Sequence, residues 1–298
     1  MTGIAAGFTD MARRLVLRRM LALGAIVPTL GFRAPPGRKA RDAWRWGVDY
    51  GATTDPVLAR QCRLLVLEPH HARPIAPLRG PGSNLLGYVS FGEVERTRPY
   101  FAALDAAGAL GPANPNWPDA RMADLRHPAW RTAVLDQLVP AILALGYDGI
   151  FIDTMDNAEA MEQRDPVANK GMVAAGATLI AAVRARFPKI SIMLNRGYAM
   201  LPDVAPQIDH LLGEAMASRW NFTTKRYELL SDSDWDWQAG RLRAAQARNP
   251  ALTLMTLDYW EPSDPKQVAA LYARERAAGF HPYVATLALD RLLPAPTG

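Results

Sequence analysis

The chain has 298 residues, 49% of them hydrophobic, and a single cysteine, Cys62. That length supports one large core, and one cysteine excludes an internal disulfide and any cysteine cluster for metal within a monomer. The formal net charge is +5, but residues 1–34 hold five Arg and one Asp. The remainder is therefore near neutral and offers no basic face for a nucleic acid.

The N-terminal stretch reads as export machinery. Arg13-Arg14 and Arg18-Arg19 precede an apolar run from Met20 to Phe32, followed by Arg33-Ala34-Pro35-Pro36-Gly37. Basic start, short apolar run and a small residue before a Pro-rich segment predict a signal peptide over 1–34. Two Arg pairs suit the twin-arginine route. The run is shorter than the ~20 residues a bilayer span needs. No stable membrane span is expected once the leader is removed, and the periplasm or the medium is the expected location. An uncleaved N-terminal helix, or a start at Met11, is the alternative. Residues 35–298 contain no Gly/Ser linker, low-complexity tract or repeat, and are read as one domain of a monomer.

In chain order, Trp44 to Tyr50 is the first strand, ending in Asp49-Tyr50-Gly51. Asp55-Pro56 opens a helix, with Asp as cap and Pro in the first turn. Arg63 to Leu67 is strand two, ending at Glu68, and Leu85 to Ser90 is strand three, ending in Phe91-Gly92-Glu93. A long excursion comes next, with Asn114-Pro115-Asn116-Trp117-Pro118 at its tip. Trp130, Val134, Leu138, Ile142 and Leu145 recur at helical spacing, and Gly146 is placed to end that helix. Gly149 to Ile152 is strand four. Its apolar run suits a strand buried on both faces, and Asp153 stands at its end. Asp165-Pro166 predicts another helix start. Ile190 to Leu194 is strand five, ending at Asn195-Arg196-Gly197, and Asp209 to Leu212 is strand six, ending at Gly213-Glu214. A second excursion carries Trp220, Trp235 and Trp237, read as a sugar-stacking wall or as loop anchors. Leu252 to Leu257 is strand seven, ending at Asp258-Tyr259-Trp260. Asp264-Pro265 caps a helix ending near Gly279, and Pro282 to Leu287 is strand eight.

Eight strands alternating with helices predict an α/β fold, a (β/α)8 TIM barrel. No strand is followed by a Gly-rich phosphate loop, which argues against an open dinucleotide-binding sheet. The strand ends collect Asp49, Tyr50, Glu68, Glu93, Asp153, Asp156, Asn195, Arg196, Glu214, Asp258 and Tyr259. Catalytic groups of barrels gather at that end. Asp148, before strand four, falls at the opposite, stabilising end. Two carboxylates across such a bowl are what glycoside hydrolysis requires, and Asp153 and Glu214 lie on nearby parts of the rim. Seven carboxylates against Arg196 as the one cation would favour a cationic ligand.

These residues resemble glycoside hydrolase family 114, the endo-α-1,4-polygalactosaminidase-like TIM barrels. The resemblance runs from about Trp46 to Asp290. It rests on Tyr88-Val89-Ser90-Phe91-Gly92-Glu93-Val94-Glu95, on Tyr147 to Asp156, on Asn195-Arg196-Gly197, on Gly213-Glu214 and on Asp258-Tyr259. It implies a polysaccharide substrate of galactosamine type, with Asp153 as nucleophile and Glu214 as acid/base in a retaining mechanism. Asp156 is the alternative match for the nucleophile. Asp49, Tyr50, Glu68, Glu93, Asp156, Asn195, Arg196, Asp258 and Tyr259 are then expected to bind substrate. No cofactor is expected. His70 and His71 lack helical ligand spacing, so no metal is expected either. Two other readings stay open: a non-catalytic carbohydrate-binding barrel, and a hydrolase using Mg²⁺ or Ca²⁺ on the acidic cluster.

Overall fold

The computed structural model describes residues 44–71, 74–115 and 117–296. The predicted signal peptide over 1–34 lies outside the described residues.

Strands β1 (Trp46–Asp49), β2 (Leu64–Leu67) and β3 (Asn84–Ser90) are followed by three short ones, β4 (Glu93–Glu95), β5 (Leu110–Ala113) and β6 (Ala120–Ala123). Then come β7 (Gly149–Asp153), β8 (Ser191–Asn195), β9 (His210–Glu214), β10 (Ser218–Asn221), β11 (Arg226–Leu229), β12 (Thr253–Tyr259) and β13 (His281–Ala285). Eight of them pair in the order β1-β2-β3-β7-β8-β9-β12-β13, each pair parallel. These are the eight apolar runs of the sequence, with ends moved by at most two residues. The sheet curls into a nearly closed, TIM-barrel-like cylinder. Between β1 and β13 side chains and a loop stand in for a ladder. Trp46 Nε1 donates to the His281 carbonyl at 2.8 Å, the Trp46 and Tyr283 rings lie 5.6 Å apart, and Tyr50 N donates to Leu289 O at 2.6 Å.

Strand alternation sorts the side chains. Val48, Val66, Leu86, Phe151, Met193 and Leu212 fill the cylinder, while Leu65, Leu85, Ile150, Ile152, Leu194 and Leu211 pack outward against the helices. Asp55 caps the helix Pro56–Ala59, accepting from Val57 N at 2.7 Å. Asp264 caps Pro265–Ala277, accepting from Gln267 N at 3.1 Å. The helix predicted from Asp165-Pro166, with Val173, Ile180, Val183 and Phe187 on one face, is present, but its start is a correction. A helix Asp156–Arg164 ends there, and the next runs Met172–Arg186. Asp165 instead accepts from the Val167 and Ala168 amides of the intervening turn, and left-handed Gly171 (φ 89°) separates turn from helix. The segment around Trp130 is helical over Pro128–Ala133 and Val139–Ala144, joined by a π-turn over Val134–Leu138. Pro140 has no amide for the carbonyl four residues back, and one wider turn absorbs that break.

Both excursions carry structure that the sequence pattern hides. The first is an antiparallel sheet ordered β4-β6-β5. Its strands are short, and Pro112 within β5 argues against a strand from sequence. The second divides into a β10–β11 hairpin and a helix, Asp232–Arg248, which holds Trp235 and Trp237. Trp235 is buried in the outer layer, donating from Nε1 to Glu275 Oε1 at 2.6 Å, so it belongs to the packing and not to a sugar-stacking wall. No helix among the described residues is long and apolar enough to cross a membrane.

Candidate active site

Three consecutive strands, β7, β8 and β9, end in Asp153, Asn195 and Glu214. Each lies two residues beyond an interior-facing apolar residue, Phe151, Met193 or Leu212, so all three continue the interior face to the mouth. Asn195, on the middle strand, donates from Nδ2 to Asp153 Oδ1 at 2.8 Å and to Glu214 Oε2 at 2.5 Å. Those two oxygens cannot lie farther apart than the two distances added, about 5.3 Å. Asp153 also accepts from Thr154 N at 2.8 Å, and the Tyr88 hydroxyl lies near enough to favour its anion. Glu214 also accepts from the Tyr259 hydroxyl, at 2.5 Å.

Burial, then the charge of Glu214, pushes the Asp153 carboxyl up from 3.8 to about 7, against the pull of its hydrogen bonds to Asn195, Thr154 and Tyr88. The pair therefore holds one proton between its members near neutral pH. Tyr50 belongs to the same neighbourhood. Burial and the charges of Asp153, Tyr259, Glu214 and Glu68 hold its hydroxyl protonated, and its ring meets Tyr88 edge-on at 4.9 Å.

The chain turns sharply immediately after each of the three residues. Thr154 (φ 65°), Arg196 (φ 51°) and Ala215 (φ 53°) all lie in the left-handed region, which costs a non-glycine residue roughly 1–2 kcal/mol. The Thr154 turn is clamped. Its Oγ1 accepts from Gly92 N at 2.8 Å and meets Ser90 Oγ at 2.7 Å. A Cβ at Gly92 would fall 2.0 Å from the Thr154 carbonyl oxygen, so only glycine lets the end of β3 close on β7 here.

The remaining predicted residues divide. Glu68 reaches the interior side of the mouth, where Arg98 grips it at 3.2 and 3.1 Å and also meets Glu95 at 3.0 Å. Glu93 is buried and accepts from Asn114 at 2.6 Å and Asn157 at 3.1 Å. Burial raises its pKa. Asp156 pairs with Arg196 Nε at 2.9 Å and accepts from Gly197 N at 2.9 Å, fixing the turn after β8. Asp49 and Asp258 are corrections to the substrate-binding set. They alternate with Val48 and Leu257, which face the interior, so they point to the outer layer. Asp49 accepts from Gly51 N at 2.8 Å. Asp258 accepts from Ala217 N and Ser218 N, both at 2.7 Å, bracing the segment after Glu214. Asp148 is at the opposite end, accepting from Leu85 N at 2.8 Å.

The seven-carboxylate bowl thus shrinks to Asp153, Glu214 and Glu93 as acids met by amides and hydroxyls, with Glu68 and Asp156 tied to arginines. Arg98 is a second cation that the strand-end reading missed, because it comes from the excursion after β4. Tyr88, Asn114 and Asn157 were missed too. For Tyr88 a signal existed: it has the inward parity on β3. Among the described residues no three His, Cys, Asp or Glu side chains are grouped to hold a metal ion.

A barrel with a bridged pair of carboxylates at its C-terminal mouth is the architecture of a glycosidase. The chain belongs to glycoside-hydrolase family GH114, whose profile matches residues 29–298. The glycoside hydrolase domain of PelA from Pseudomonas aeruginosa superposes with a TM-score of 0.74 at 27% identity, covering 84% of this chain and 97% of that one. Aspergillus fumigatus Ega3, in a complex with galactosamine, gives 0.61 at 16% identity, covering 87% and 98%; that likeness is one of fold. An uncharacterised protein of Deinococcus radiodurans is 28% identical over 280 residues, 87% of this chain and 86% of its own.

The bridge makes a pH prediction. Asn195 stabilises the Asp153 anion, so removing it makes the pair hold its shared proton more tightly. Activity should fall as pH rises through about 7. In Asn195→Ala that alkaline limb should move up by about one pH unit while the maximal rate falls at least tenfold. A pH–rate profile of the two proteins checks this.

Proposed function

We propose that the protein is an exported glycoside hydrolase that cleaves α-1,4-linked galactosamine-containing polysaccharide with retention of configuration. The observation that carries the mechanism is the bridge at Asn195. It keeps the two carboxylate oxygens within about 5.3 Å. Retaining enzymes need roughly 5–5.5 Å, whereas inverting ones need about 6.5–9.5 Å to admit a water.

Asp153 is the nucleophile that the family resemblance points to, and its hydrogen bonds from Asn195 and Thr154 N favour the anion. Glu214 is the acid/base and gives the proton to the leaving glycosidic oxygen. Attack of Asp153 on the anomeric carbon forms a glycosyl ester. Glu214 then takes a proton from water as that water displaces Asp153. Tyr88 and Tyr259 orient the two acids. The pairing of Asp156 with Arg196 favours Asp153 over it as the nucleophile.

The substrate class is supported by the family, by the galactosamine bound to Ega3, and by the pocket's charge. Asp153, Glu214 and Glu93 meet no cation in the hydrogen bonds that hold them. A sugar ammonium relieves their repulsion, and N-acetylation abolishes that advantage.

Incubation with deacetylated and acetylated galactosamine and glucosamine polymers, with mass analysis of the products, tests this reading. Deacetylated galactosamine polymer should be cut, more slowly as salt rises. Asp153→Asn and Glu214→Gln should each lose at least about 10³-fold in rate without unfolding. Asp156→Asn should retain turnover. Equal cleavage of acetylated and deacetylated polymer would defeat the charge argument. Binding without cleavage would instead make the protein a carbohydrate-binding barrel, and loss of activity in chelator would point to a metal-dependent hydrolase.

Export rests on the basic and apolar leader. Mass spectrometry of protein from periplasm or medium should find a chain beginning near Pro35. Recovery of full-length protein from the cytoplasm alone would contradict it.

A further inference from the structure

The two excursions meet. Trp117 lies in the connection between β5 and β6, its amide donating to Asn114 O at 3.2 Å and its carbonyl accepting from Ala120 N at 2.8 Å. Phe222 lies at the tip of the β10–β11 hairpin, where Asn221 Oδ1 accepts from Thr223 N and Thr224 N at 2.9 and 3.0 Å. The two rings meet edge to face, with centroids 6.0 Å apart and planes at 89°.

Neither ring serves the core. Trp117 is 52% exposed and Phe222 46%, and neither packs against the two hydrophobic clusters. Their excursions leave the barrel at the C-terminal ends of β3 and β9. In the sheet, β7 and β8 lie between those strands and end in Asp153 and Asn195. A contact between the two tips therefore bridges the sector of the rim that carries the catalytic pair. The first tip is also tied to the pocket, since Asn114 donates to Glu93.

We propose that Trp117 and Phe222 form an aromatic clasp, a binding subsite for a sugar unit of the polymer remote from the bond being cut. This rests on the glycosidase reading and adds where the chain is gripped. An exposed indole held in a short turn presents a flat apolar face at low entropic cost. The C–H face of a pyranose stacks on such a ring, and the ammonium of an amino sugar is attracted to its π-face. One ring comes from each excursion, so a strand seated there is held from both sides of the rim. Oligomers too short to reach from the catalytic pair to the clasp forgo this grip.

The test is chain-length dependence. Wild-type kcat/KM for galactosamine oligomers of graded length should rise about tenfold once the chain reaches the clasp. Trp117→Ala and Phe222→Ala should each flatten that rise, Trp117→Phe should keep part of it, and the double variant should lose little more than either single one, because the rings act as a unit. Unchanged melting temperatures would separate this from misfolding. A length dependence in the variants equal to that of wild type overturns the clasp while leaving the glycosidase reading intact. If wild type cuts no polymer, the glycosidase reading fails, and the clasp is read by electrophoretic retardation in gels containing each polymer of the panel. Retardation of wild type but not of the double variant supports it. Equal retardation, or none for either, overturns it.

Discussion

Asn195 gives both N–H bonds of one amide to two carboxylates, Asp153 on one neighbouring strand and Glu214 on the other. Two ionised acids about 5 Å apart repel by on the order of 3 kcal/mol at an effective dielectric of 20. A donor-rich group between them offsets that repulsion and sets their spacing at once. The amide orientation is set by the contact itself, since its oxygen turned toward either acid would add repulsion. The barrel supplies what the bridge needs: three adjacent parallel strands whose interior-facing terminal residues fall at the same level of the mouth.

The rest of the mouth keeps that arrangement in place. Left-handed residues after all three strands end them abruptly, so each functional side chain sits on the last rigid position of a strand and not on a loop. The strain is met by specific contacts: Thr154 by Ser90 and Gly92, the turn at Arg196 and Gly197 by Asp156, and the segment after Ala215 by Asp258. Asp258 is itself pushed up to about 6 by burial, against the pull of those amide bonds. Carboxylates that look alike in sequence thus take two different places, one set bridged across the inner face of the mouth and the other bracing the outer face or rim.

The barrel was legible in the sequence because a parallel strand covered on both faces must be an apolar run. Gly149 to Ile152 and Leu64 to Leu67 stand out for that reason, and Asp55-Pro56 and Asp264-Pro265 mark helix starts by their own chemistry. Asp165-Pro166 carries the same signature but caps only a turn, since a dipeptide does not encode the conformation of the residues beyond it. Asp49 and Asp258 were misplaced for a related reason. Adjacent residues at a strand end face opposite ways, and only parity against the inward Val48 and Leu257 separates these two from the inner face. Arg98 and Asn114 reach the mouth only through the tertiary path of the first excursion, and Asn157 through the helix that follows β7, which no periodicity reports.

The proposed retaining mechanism depends on the one amide that bridges the two acids. The most direct measurement is the anomeric configuration of the first product, monitored by proton NMR during early cleavage of an α-linked galactosamine oligomer. Retention predicts the α-anomer first, with the β-anomer growing in later by mutarotation. Initial appearance of the β-anomer would contradict a retaining pair, because an inverting enzyme delivers water to the opposite face of the sugar.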